Sequence, residues 1–82
     1  LLNNSTTEMR NVVAYPTLTK LNVKLYIDQY NGPIKTDIYN INGELISSLK
    51  GDTISLENFK KGIYILTIFY GKNSDQIKVV KI

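Results

Sequence analysis

Short runs of alternating apolar and polar residues, separated by turn residues, recur along this chain of 82 residues. The clearest run is LNVKLYI, in which Leu21, Val23, Leu25 and Ile27 occupy alternate positions. A period of two is typical of a strand that buries one face and leaves the other in water. No apolar period of a helix continues for three turns. The chain is therefore expected to fold from strands alone.

About seven such runs follow one another, with turn signals roughly every 8–12 residues. They are VVAYP, LNVKLYI, IKTDIYNI, ELISSL, TISL, GIYILTIFY and QIKVVKI. We expect one all-β domain at residues 12–82, an immunoglobulin-like antiparallel β-sandwich of about seven strands. GIYILTIFY is apolar on both faces, which predicts a central strand, and GKNSD is predicted to be the hairpin loop after it. Residues 1–11 lack a sustained apolar period and are predicted to be a linker or leading segment.

Composition argues against several classes of function. The chain has no histidine and no cysteine, so the usual general base and both preferred zinc ligands are missing. Its carboxylates fall in separate strands and loops, with no pair spaced as an acid–base couple. We therefore expect no enzyme, no catalytic residues, no metal and no other cofactor.

The charge and hydropathy of the chain limit the classes of partner that it is expected to bind. The net charge of +3 is mild and its basic residues are scattered, which argues against nucleic acid as a partner. No apolar run approaches the roughly 20 residues that span a bilayer, so direct membrane insertion is not expected. Because the sequence begins with Leu1 and its only methionine is Met9, we expect it to be part of a larger protein.

Two turn motifs predict local geometry. In FKKGIY, Phe59 and Gly62 precede Tyr64, which is predicted to be a buried corner tyrosine whose hydroxyl binds upstream backbone. In NING, Asn42 and Gly43 are predicted to form a hairpin turn in which the glycine takes a positive φ.

The tail KVVKI alternates. Lys78, Val80 and Ile82 share one face, and Val79 and Lys81 share the other. Lysines on an edge strand oppose aggregation between sheets, whereas an exposed edge also offers a template for strand addition by another protein. The residues alone leave both interpretations open. We expect both lysines to be exposed, so that their replacement by glutamine changes stability little.

Taken in order, VVAYP, IKTDIYNINGELI, FKKGIYILTI and the lysine-flanked last strand resemble the type A C-terminal sorting domain of proteins exported by the type IX secretion system. The resemblance runs from about Val12 to Ile82. Pro16 is the only match to the Pro-Asn-Pro-like stretch that is usual after the family's first strand, and Asn40 stands where the family often has Asp.

The resemblance implies a C-terminal targeting module that directs a larger cargo across the outer membrane of Gram-negative Bacteroidota. The cargo would enter the periplasm by a separate N-terminal signal and then reach the cell surface or the medium. The implied partners are the type IX translocon, an outer-membrane shuttle protein and a sortase-like peptidase, which would cleave an accessible segment such as NNSTT. The implied export signal comprises Lys78, Val79, Val80, Lys81 and Ile82.

A second hypothesis is an extracellular adhesion or carbohydrate-binding module on the same fold. It predicts a patch of coplanar exposed aromatic side chains. Tyr26 and Tyr39 are the candidates, because alternation places both on outer faces.

Overall fold

The computed structural model describes residues 12–82, which form two packed β-sheets. The strands are β1 (Val12–Tyr15), β2 (Leu18–Thr19), β3 (Asn22–Ile27), β4 (Ile34–Asn40), β5 (Leu45–Lys50), β6 (Thr53–Ser55), β7 (Gly62–Tyr70) and β8 (Asn73–Lys81). The predicted all-β sandwich is confirmed. The linker predicted at residues 1–11 lies outside the described residues. Across residues 12–82 no helix is long and apolar enough to cross a membrane.

The two sheets meet along the faces that sequence alternation makes apolar. One sheet has the order β1-β3-β6, and the other has the order β2-β8-β7-β4-β5. Burying an aliphatic side chain between them contributes about 1.5–3 kcal/mol, and this burial drives the packing. The buried core consists of Val12, Val23, Leu25, Ile38, Ile54, Leu56, Tyr64, Leu66, Ile68, Tyr70 and Val79.

β7 is the central strand of the larger sheet, as its two apolar faces predict. It pairs with β4 on one side and with β8 on the other, both antiparallel. Its inner face belongs to the core. On its outer face, however, Ile63 and Phe69 remain exposed, so the second apolar face faces solvent in the described part of the chain.

The described strands number eight rather than about seven, because β2 was not predicted. The chain leaves the smaller sheet at Pro16, whose peptide bond with Tyr15 is cis, and then joins the larger sheet. There β2 runs parallel to β8. The expectation of a wholly antiparallel sandwich is therefore wrong at this one edge. A strand of two residues is too short to show an alternation.

The hairpin between β7 and β8 is tighter than predicted. Asn73 pairs with Tyr70, which leaves only Gly71 and Lys72 in the turn. Gly71 has a φ of +62°, which glycine adopts without steric cost. The other polar residues of GKNSD belong to β8, because that part of the strand is exposed to water or half-buried.

Candidate functional site

The predicted export signal, residues 78–82, lies at the end of β8, between two other strands. β8 pairs with β7 along its full length, and Val80 and Lys81 also pair with β2. The Val80 N–H donates to the Thr17 carbonyl at 2.7 Å, and the Ile82 N–H donates to the Thr19 carbonyl at 2.9 Å. The tail is therefore not an edge strand from Val80 onward, and the edge interpretation is wrong there.

Strand alternation divides the five tail residues into two sets. Val79 and Lys81 are buried and face the interior, whereas Lys78 and Ile82 are exposed and Val80 is half-buried on the outer face. A partner that touches the folded domain can reach only the outer set. Whether the export machinery recognises any of the five stays a prediction.

Lys81 overturns the expectation that both tail lysines are exposed. Only 8% of the residue is accessible, and its ammonium donates hydrogen bonds to three backbone carbonyls. The acceptors are Leu56, Glu57 at 3.2 Å and Phe59 at 3.1 Å. An ammonium has three donors, and a buried charge is tolerated when it is hydrogen-bonded in this way. Lys81 is therefore a structural cross-link between β8 and the segment that follows β6.

The segment between β6 and β7, residues 56–61, is a corner held from two sides. Tyr64 is buried, and its hydroxyl donates to the Lys60 carbonyl at 2.7 Å, which is the contact predicted for a corner tyrosine. The Phe59 ring meets the Tyr64 ring edge-on, with centroids 5.3 Å apart. Together with Lys81, Tyr64 supplies donors to four carbonyl groups of this corner. The Leu56 carbonyl also accepts the Phe59 N–H at 3.0 Å, so the corner is hydrogen-bonded within itself as well as to the neighbouring strands.

Gly62 and Pro16 occupy the turning points that flank this end of the sandwich. Gly62 begins β7 with a φ of +151°, and Pro16 is half-buried between β1 and β2. That their role is structural stays a prediction.

The turn between β4 and β5 is organised by Asn40. Its side-chain oxygen accepts the N–H groups of Asn42 at 2.9 Å and Glu44 at 3.0 Å, and its amide donates to the Glu44 carboxylate at 2.7 Å. Gly43 has a φ of +83°, so the predicted positive φ is confirmed. An Asp here could accept the same two N–H groups, but only the amide of Asn40 can also donate to Glu44.

Sequence reasoning missed the role of Tyr30, which secures the opposite end of the sandwich. Its hydroxyl donates to the Pro33 carbonyl at 2.5 Å and accepts the Gly71 N–H at 3.0 Å. Its ring lies edge-on to Tyr70, with centroids 5.7 Å apart. The surrounding DQYNGP indicates a turn, but nothing in it points to a partner 41 residues away.

The described residues contain neither a cluster of metal ligands nor a single aromatic patch. In residues 12–82, no three Asp, Glu, His or Cys side chains are grouped so that they could hold a metal ion. A hydrogen bond from Lys24 lowers the pKa of Asp52, as in an ordinary exposed ion pair. Tyr26 and Tyr39 lie on different sheets, on opposite outer faces of the sandwich. They cannot form the single aromatic patch that the carbohydrate-binding hypothesis predicts.

The geometry thus combines a sandwich, a corner tyrosine and a docked tail strand. No curated protein matches the chain. Residues 14–82 match the family model described as secretion system C-terminal sorting domain. That range includes Pro16, the corner at residues 56–61 and the entire tail. Such a domain is a C-terminal sorting signal for type IX secretion, which implies export to the cell surface or secretion. The resemblance seen in the sequence is confirmed, and the chain belongs to the family of secretion system C-terminal sorting domains.

Proposed function

We propose that residues 12–82 act as a non-enzymatic signal that takes an attached cargo protein through the outer membrane. The family match over residues 14–82 carries this proposal. The docking of the tail supports it, because the tail is paired with strands on both sides from Val80 onward rather than left as a loose peptide.

The proposed route has two stages. The cargo, joined on the N-terminal side, reaches the periplasm of a Gram-negative bacterium of the Bacteroidota by a separate signal. The type IX translocon and an outer-membrane shuttle protein then recognise the folded domain. A sortase-like peptidase cuts within residues 1–11, a polar stretch rich in Asn, Ser and Thr that lies between cargo and domain.

The folded state of the domain is the form that we propose is recognised. Lys78, Val80 and Ile82 are held side by side only while Val79 and Lys81 are anchored in the interior. An unfolded tail would lose this arrangement. Recognition of the folded surface would therefore reject damaged domains.

A reporter fusion tests the proposal. A monomeric periplasmic reporter with its own signal peptide is joined to the full 82-residue chain and expressed in a Bacteroidota host with or without a working type IX translocon. We expect the reporter at the cell surface or in the medium only when both the domain and the translocon are present. A reporter that stays in the periplasm of the host with the translocon, although its domain is folded, would contradict the proposal.

The mass of the exported reporter tests cleavage separately. We expect a product that lacks residues 12–82, and a fusion from which residues 1–11 are deleted should be exported without losing the domain. The reporter without the chain is the control.

A further inference from the structure

The outer face of the larger sheet has a continuous apolar surface at the end where β8 finishes. Leu18 pairs with Val80, and Val80 pairs with Ile63. Ile63 shares an open cleft with Ile41. Ile41 shares a neighbouring cleft with Ile65. The surface therefore crosses β2, β8, β7 and the turn after β4.

We call this surface the outer apolar patch, and Ile82 extends it because alternation places it on the same face as Val80. It consists of Leu18, Ile41, Ile63, Ile65, Val80 and Ile82. Exposure is 70% for Ile41, 59% for Leu18, 45% for Ile82 and 41% for Ile63. Single exposed apolar residues are ordinary, but contiguous ones mark interaction surfaces.

The patch ends abruptly within the same face. The next row across β8, β7, β4 and β5 is polar, and consists of Gln76, Thr67, Asp37 and Ser48. Gln76 donates to Thr67 at 3.3 Å and Ser48 donates to Asp37 at 2.7 Å, so these side chains satisfy one another. This polar row separates the patch from Phe69, which is exposed at the other end of the same face.

Exposed lysines border the patch. Lys60 and Lys61 line the cleft that contains Ile41 and Ile63, and Lys78 pairs in register with Ile65. In the described chain, none of these three exposed lysines forms an ion pair, whereas two other lysines do. Lys24 lies 2.9 Å from Asp52, and Lys35 lies 3.5 Å from Asp37.

We propose that the outer apolar patch and its three lysines are the surface by which the export machinery holds the domain. The occupant that fits is a protein surface with an apolar centre and carboxylates at its rim. This inference rests on the proposed function and deepens it. Apolar burial supplies the driving force for such a contact, and complementary charge fixes partner and register.

The inference assigns recognition to residues far from the tail in sequence. Lys78, Val80 and Ile82 contribute one side of the surface, whereas Leu18 and Ile41 contribute the other sides. The buried Lys81 takes no part in the contact, and its role is to hold β8 in place.

Paired substitutions in the reporter fusion test this surface. The patch pair, Leu18→Ser with Ile41→Ser, changes two side chains that are mostly exposed. Its matched control is Val13→Ser with Tyr26→Ser, which lie 57% and 54% exposed on the outer face of the smaller sheet. We expect the exported fraction to fall by about ten-fold for the patch pair and to stay unchanged for the control.

A pair of charge-reversing substitutions, called the charge pair, tests the lysines at the edge of the patch without changing any apolar side chain. Lys61→Glu with Lys78→Glu is expected to reduce export by about ten-fold, whereas Lys50→Glu with Lys72→Glu, two exposed lysines elsewhere, should not. If the patch pair lowers the melting temperature of the 82-residue chain, the charge pair decides, because exposed charges affect folding little.

The outcomes separate this inference from the proposed function. If the parent fusion is exported and the patch and charge pairs are exported equally well, the inference fails and the proposed function stands. If the parent fusion itself is retained, both fail. Sedimentation of the 82-residue chain excludes another occupant: a monomer is expected, and a dimer that the patch pair dissociates would overturn the inference in favour of self-association.

Discussion

The ammonium of Lys81 donates a hydrogen bond to the carbonyl oxygen of Phe59, 3.1 Å away, and so ties β8 to the corner between β6 and β7. The other two donors of the ammonium reach Leu56 and Glu57 in the same corner. The corner therefore depends on β8, and the position of β8 depends on the corner. Because of this mutual dependence, we expect the tail and the rest of the sandwich to unfold together in one transition.

Replacing Lys81 by methionine should lower the free energy of unfolding by about 3 kcal/mol, because three carbonyls of the corner lose the ammonium as a donor. Methionine keeps much of the length of the side chain and removes the ammonium. The matched control is Lys78→Met on the exposed side of the same strand, which should change stability by less than about 0.5 kcal/mol. Urea denaturation of the 82-residue chain measures both. Equal effects for the two variants would contradict the burial of Lys81.

Removing the Tyr64 hydroxyl should cost about 0.5–1.5 kcal/mol, since Tyr64→Phe loses one hydrogen bond, to the Lys60 carbonyl. Tyr64→Ala should cost more, about 3–5 kcal/mol, because it also opens a cavity beside Phe59. Tyr26→Phe, at an exposed position, serves as the control. Thermal and urea unfolding report the differences. A Tyr64→Phe variant as stable as the parent would show that the corner does not need this bond.

Gly43→Val should destabilise the domain by about 1–2 kcal/mol through backbone strain alone. A Cβ at this position would meet no atom within 4 Å, so steric overlap at the Cβ contributes nothing. Gly43→Asn should cost less, because asparagine tolerates a positive φ better than a β-branched residue does. The melting temperatures of the two variants test this order. If valine proved as stable as asparagine, the positive φ would not be required.

Thr36→Val should raise the free energy of unfolding by about 1 kcal/mol. Thr36 is fully buried, and its hydroxyl has no hydrogen-bond partner in the described structure. A buried hydroxyl without a partner costs about 1–3 kcal/mol, and valine removes it at nearly the same volume. Thr36→Ser is the control, because it keeps the hydroxyl and loses only the methyl group. A less stable valine variant would mean that the hydroxyl is satisfied in the folded protein.

Strand alternation predicted most of the fold because each run buries one face. Val23 and Leu25 lie inside and Tyr26 lies outside, as LNVKLYI indicates. Alternation also placed Lys81 on the same face as Val79, but the charge of lysine argued for exposure. Its carbonyl acceptors are 22 to 25 residues away in the chain, and no local pattern connects them to it.

The sequence predicted only part of the outer apolar patch. The two apolar faces of GIYILTIFY predicted a central strand correctly, yet sequence cannot say how many layers cover a sheet. Leu18 belongs to a strand too short to predict, and Ile41 belongs to a turn. The surface forms only because the pairing of β2, β8 and β7 places their residues beside the turn after β4.

The parallel pairing of Leu18 with Val80 also affects the order of events as the chain folds. It joins segments from opposite ends of the described chain, so the entropy of closing a long loop must be overcome before the contact can form. We expect β2 and β8 to meet late, after the hairpins between them have formed. A receptor that binds this end of the sandwich would then bind only after β2 and β8 have paired. Transport of the cargo would therefore begin only when folding of its signal is complete.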